Sequence, residues 1–92
     1  MIKSFKCKNT EKLYGREFVK KFKPIARKAL TRLRVLETAP TLGALVAIPG
    51  NRFEALKGDR KDQYSIRIND QWRICFKWED GYALDVEIVD YH

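Results

Sequence analysis

Apolar and polar residues follow two different periods along this chain, and the change falls near its middle. Before it the spacing is helical. Phe22, Ala26, Ala29, Leu33 and Leu36 recur at steps of four and three, which places them on one face of a helix, widened by Ile25 and Leu30. Pro24 suits its first turn, and Thr38-Ala39-Pro40-Thr41 ends it, because proline disfavours helical geometry in the residue before it. A short helix is expected ahead of this one, capped by Asn9 or Thr10 and interrupted at Gly15, with Leu13, Tyr14 and Phe18 as its apolar contacts. Met1 to Lys6 reads as a first strand, with Ile2 and Cys7 facing inward. Leu42 to Val46 is one or two helical turns, and Pro49-Gly50-Asn51 is a turn.

From Phe53 onward the period is two. Phe53 to Lys57 alternates and breaks at Gly58-Asp59. Tyr64, Ile66 and Ile68 share one face of a strand, with Ser65 and Arg67 on the other. Asn69-Asp70 marks a hairpin. Trp72, Ile74, Phe76 and Trp78 share a face of the next strand, against Arg73, Cys75 and Lys77. Glu79-Asp80-Gly81 turns into a last strand whose buried face takes Val86 and Ile88, extended back to Tyr82 and Leu84. Consecutive strands joined by short turns predict an antiparallel meander with the helices on one face: an α+β fold of two layers in a single domain, residues 1–92.

Charge divides at nearly the same place. The net charge is +7, but residues 1–34 carry twelve Lys and Arg against Glu11 and Glu17, giving +10, while residues 35–92 carry seven against ten acids, giving −3. Lys23, Arg27 and Arg34 lie on the helix side opposite the apolar stripe. Such a ridge is either a solvated face or a contact for nucleic-acid phosphate, and an acidic protein partner would also fit. No apolar run is long enough to span a bilayer, and Met1 to Lys6 lacks a signal-peptide core, so cytoplasmic residence without membrane association is expected. Cys7 and Cys75 have no CxxC partner, and two buried thiols are expected rather than zinc ligands.

The candidate chemistry gathers where the alternation stops. Asp90, Tyr91 and His92 follow the last strand, and His92 is the single histidine. In a meander the start of the Trp72 strand and the end of the last strand share one edge, so Arg73 approaches this triplet, and Lys57 and Arg67 come near. A general base, a general acid and cations around one concavity suit cleavage of an RNA phosphodiester by its own 2′-OH. The plainer readings are a cross-strand Arg73–Glu87 pair, a surface Lys57 and core roles for Trp72, Tyr64 and Tyr82.

Leu56-Lys57-Gly58-Asp59-Arg60, the run from Tyr64-Ser65-Ile66-Arg67 through Asn69-Asp70-Gln71-Trp72-Arg73 to Phe76, and the closing Asp90-Tyr91-His92 together resemble the HigB-type toxins of the RelE superfamily, as does the opening Met1-Ile2-Lys3-Ser4-Phe5. The resemblance implies a RelE-like fold and a bacterial type II toxin that cleaves mRNA in the ribosomal A site, with no cofactor or metal. It implies a HigA-type helix-turn-helix antitoxin, and contact with operator DNA only through the antitoxin complex. Carried over by position, Lys57 and Arg73 would meet phosphate and transition-state charge, His92 and Asp90 would transfer protons, and Tyr91 would orient the substrate. Lys23, Arg27, Arg34, Arg60 and Arg67 would contact RNA. Some relatives have a histidine where this chain has Glu54. The alternative is a protein that binds RNA or the ribosome and inhibits translation without cutting.

Overall fold

The computed structural model describes residues 1–90; Tyr91 and His92 lie outside the described residues. Helices α1 (Lys8–Tyr14), α2 (Ala26–Thr38) and α3 (Leu42–Val46) precede a four-stranded antiparallel sheet in the order β1 (Glu54–Ala55), β2 (Tyr64–Arg67), β3 (Trp72–Glu79) and β4 (Tyr82–Asp90). This is the two-layer α+β meander that the alternation predicts. Phe22, Ala29, Leu33 and Leu36 on the helical side bury against Ile66, Ile74, Phe76, Val86 and Ile88 from the sheet. Trp72 belongs to this packing: its ring meets Phe22 edge to face at 5.7 Å, a favoured aromatic geometry. Tyr64 lies between Phe53 and Phe76, at 5.4 and 6.1 Å.

Several local expectations change. Helix α1 starts at Lys8 with Cys7 as its N-cap, so neither Asn9 nor Thr10 caps it. Thr10 is instead buried inside the helix, and its hydroxyl accepts the Ile88 N–H at 3.0 Å. Phe18 is 74% exposed, because the chain leaves the helix at Gly15 and turns through Arg16 at φ 66°. Pro24 sits inside a separate 3-10 segment, Lys20–Ile25, ahead of α2. The expected strand from Phe53 to Lys57 contracts to Glu54–Ala55, where pairing with β2 ends after the bond from Leu56 N–H to the Gln63 carbonyl.

The predicted first strand is two isolated parallel bridges, Ile2 to Ala83 and Phe5 to Val86. They lay the segment along the outer edge of β4 and cover its open main-chain groups. Cys7 follows this segment half-buried, Cys75 is fully buried, and both thiols are free.

The last strand holds the largest revision. Asp85 adopts φ 52° and interrupts the β3–β4 register between Cys75 and Lys77. One extra residue reverses the alternation on its upstream side. Ala83 is therefore buried beside Val86 and Ile88, whereas Tyr82 is exposed and Leu84 half-buried. Ser4 Oγ accepts the Asp85 N–H at 2.9 Å, and Lys77 Nζ stands 3.6 Å from the Asp85 carboxylate.

Candidate active site

The sheet face turned away from the helices carries Ser65, Arg67 and Arg73. In β2 and β3, Arg67 lies directly opposite Arg73, and Ser65 opposite Cys75. Arg73 is 7% exposed. Its Nε donates to Ser65 Oγ at 2.8 Å, its Nη2 donates to the Arg52 carbonyl and, at 3.4 Å, to the Ser65 carbonyl, and the Glu54 carboxylate stands 3.8 Å away. A guanidinium fixed by hydrogen bonds on this scale has little rotamer freedom left to lose when it meets an anion.

The Arg52 carbonyl is placed by its own strap. Pro49–Asn51 forms a 3-10 turn, and Arg52 follows in the left-handed region at φ 42°. Asn51 is fully buried; its Oδ1 accepts from Arg32 Nη1 of α2 at 2.7 Å, and its Nδ2 donates to the Leu45 carbonyl at 3.1 Å. The strap is thus tied to the helical layer at the residue before the one that holds Arg73.

Arg52, Glu54, Arg67, Asn69, Asp70 and Arg73 line an open concavity of about 460 Å³. Arg67 also pairs with the exposed Asp70, 2.5 Å away. That hydrogen bond, then the Arg67 charge, holds the Asp70 carboxyl below the usual range, with smaller help from Arg52 and Lys28.

The β3–β4 register sets Val89 across from Arg73, and Asp90 across from Trp72. Arg73 and Asp90 therefore reach the same end of the sheet in adjacent rows, as the meander predicts, but on opposite faces: Asp90 shares the helix-facing side with Trp72, and Val89 shares the side of Arg73. Gln71 Nε2 donates to Asp90 Oδ2 at 3.0 Å. The remaining members of the predicted triplet, Tyr91 and His92, lie outside the described residues. Lys57 is exposed immediately before the 3-10 turn Gly58–Arg60, and no ion pair joins it to a described residue.

The Arg73–Glu87 pair does not form. The register puts Glu87 across from Cys75, and its Oε1 takes Arg60 Nη1 at 2.7 Å and Lys6 Nζ at 3.8 Å. Arg60 also donates to Gln63 Oε1 at 3.3 Å. Lys23, Arg27 and Arg34 are exposed on the helical layer. Arg27 shares a groove with Lys28, Arg32 and Arg67 that runs from α2 to the hairpin of β2 and β3. Ser65 and Arg52 are the partners that residue types alone do not reveal. The hint was a small hydroxyl beside Arg67 in the same alternating row.

Residues 3–92 match the family described as the RelE-like toxin of the type II toxin-antitoxin system HigB. The chain belongs to this family. It is 38% identical over 87 residues to Toxin HigB-1 of Vibrio cholerae, covering 92% of each chain, and 33% identical over 97 residues to Endoribonuclease HigB of Proteus vulgaris, covering both in full. HigB-type sequence here accompanies a fold shared with YoeB. The toxin-antitoxin complex of YoeB and YefM from Staphylococcus aureus aligns with a TM-score of 0.65 at 22% identity over 100% of this chain and 98% of that one. The YoeB dimer from the same organism aligns at 0.57 and 18%, over 99% and 97%. As a HigB-family member the chain is the toxin half of a type II pair, with an antitoxin as its partner. Among the described residues no helix is long and apolar enough to cross a membrane.

Proposed function

We propose that this HigB-family toxin is an endoribonuclease of the bacterial cytoplasm, cutting mRNA as it is translated in the ribosomal A site, and that a HigA-type helix-turn-helix antitoxin neutralises it. The observation that carries this reading is Arg73, a buried guanidinium held by Ser65 and the Arg52 carbonyl in an open concavity. A fixed guanidinium there stabilises the charge of a phosphorane-like transition state without reorganising. The name of the Proteus vulgaris relative supports the reaction class.

In this reading the ribose 2′-OH attacks the adjacent phosphorus and the 5′-oxygen leaves, so the products are a 2′,3′-cyclic phosphate and a 5′-hydroxyl. His92 and Asp90 move the two protons, Tyr91 orients the nucleotide, and Lys57 adds positive charge. These side chains supply base, acid and charge among themselves, so the scheme calls on no metal. Glu54 stands where some relatives carry a histidine, and its carboxylate faces Arg73. The cations Lys23, Arg27 and Arg34 suit ribosomal RNA, and Arg60 and Arg67 lie nearer the message.

Primer extension on a translated message tests the proposal. New 5′ ends are expected with the wild-type protein, and their loss with folded Arg73→Ala and His92→Ala variants. Translation arrest with unchanged 5′ ends would replace cleavage by simple occupancy of the ribosome or RNA.

A further inference from the structure

Arg67 and Arg73 are direct cross-strand partners on one sheet face, and like charges in that relation destabilise a sheet. Arg52 brings a third guanidinium to the same concavity. Two carboxylates partly offset them. Glu54 stands 3.8 Å from Arg73 and is half-exposed, and Asp70 is almost wholly exposed beside Arg67. Carboxylates this open to solvent are screened and easily exchanged. The strap through Asn51 fixes the backbone that carries Arg52, while the Arg52 side chain remains at the surface. The concavity extends from Arg73 toward β1 and β2, on the side away from β4. Neighbouring strands are about 4.8 Å apart, so an RNA strand crossing this face over Arg73 continues directly over Arg67.

We propose that this concavity is a second phosphate subsite, in which Arg52 and Arg67 hold the phosphodiester next to the one that Arg73 meets, on a single-stranded RNA. Asp70 acts as its gate: it occupies Arg67 in the free protein and is displaced by the incoming phosphate. The inference rests on the ribonuclease reading above and deepens it from one phosphate contact to two.

The test uses the purified full chain and a short 2′-O-methyl oligoribonucleotide, which lacks the attacking hydroxyl, with binding followed by fluorescence anisotropy across a salt series. Removing one phosphate contact on a single strand reduces the slope of log K against log salt by about 0.7. Arg52→Ala is expected to show that reduction and a roughly fivefold weaker affinity. Asp70→Asn, which frees Arg67, is expected to bind more tightly than wild type. Lys8→Ala, an exposed cation at the start of α1, is the control for general surface charge. An unchanged slope in Arg52→Ala, weaker binding in Asp70→Asn, or an equal loss in Lys8→Ala overturns the subsite. A wild-type protein with no salt-dependent RNA affinity removes the function and the subsite together, so the two failures read differently.

Discussion

Thr10 and Ile88 stand 78 positions apart in the chain and are joined by one buried hydrogen bond, from the Ile88 N–H to Thr10 Oγ1 at 3.0 Å. It fastens α1 to β4 two residues before Asp90. Thr10→Val preserves the shape and removes the acceptor, leaving a buried N–H unsatisfied. The expected loss is about 1–3 kcal/mol, read as a lower urea midpoint with an unchanged slope. A midpoint equal to wild type would mean that the bond contributes nothing net.

Asn51→Ala is expected to cost about 2–3 kcal/mol, because the Leu45 carbonyl loses a buried partner and the Arg32 guanidinium a half-buried one. Activity should fall with it, since the strap also positions the Arg52 carbonyl against Arg73. Gly50→Ala gives the contrast. A β-carbon there would lie 2.8 Å from Arg32 Nη2; the guanidinium must shift and strains only its bond to Asn51, while the Asn51 bond to the Leu45 carbonyl stays, so a smaller loss of about 1 kcal/mol is expected. Equal losses in the two variants, measured by urea unfolding, would contradict the assignment of the strap to Asn51.

Tyr14 donates to Glu37 Oε1 at 3.2 Å, and the Ile2 N–H donates to the same oxygen at 3.1 Å. Burial, then the Glu37 charge and its hydrogen bond, push the phenol pKa up. The folded state therefore favours the neutral phenol. That stabilisation is complete below the ordinary tyrosine value of about 10 and is lost as pH rises through the higher folded value. Ultraviolet titration should show one tyrosine ionising late, and Glu37→Gln should bring it partway back while burial persists. Unaltered ionisation in that variant would show that burial alone sets the shift.

The two cysteines should differ sharply. Burial pushes the Cys75 thiol up, with a smaller lowering by Arg60 and a smaller further rise from Glu87, and the thiolate is the reactive form. A thiol reagent at mildly alkaline pH should label one cysteine of the folded chain, Cys7, with the second appearing only on unfolding. Rapid labelling of Cys75 in the native protein, located by mass spectrometry, would contradict the packed sheet face.

The apolar stripe of α2 and the alternation of β2 and β3 were legible because each buries one face against a single opposing layer. The turn into β4 was legible too: Asp80 and Gly81 both take positive φ, at 52° and 83°, as a tight hairpin asks. Tyr82 and Leu84 were misassigned because Asp85 adds one residue to its strand, and no local pattern distinguishes a bulging aspartate from an ordinary outward one. Thr10 looked like a cap because its hydroxyl suits one, and only the tertiary arrangement offers it the Ile88 N–H instead. At the site, Arg73 was legible as a cation near the Asp90 end. Its supports were not, since one is a main-chain carbonyl from the strap and the other depends on register. The same dependence gave Glu87 to Arg60.

The segment that runs beside β4 has a consequence for how the protein comes into being. Its bridges join residues 2 and 5 to residues 83 and 86, and Ser4 meets the bulge at Asp85. These are contacts of very long sequence separation, whose loop-closure entropy must be met before they stabilise anything. During synthesis the segment emerges long before its partner strand, so its docking waits until β4 has been made. Residues made well before β4 are therefore among the last to find their places, and the protein cannot complete its sheet edge until β4 is in hand.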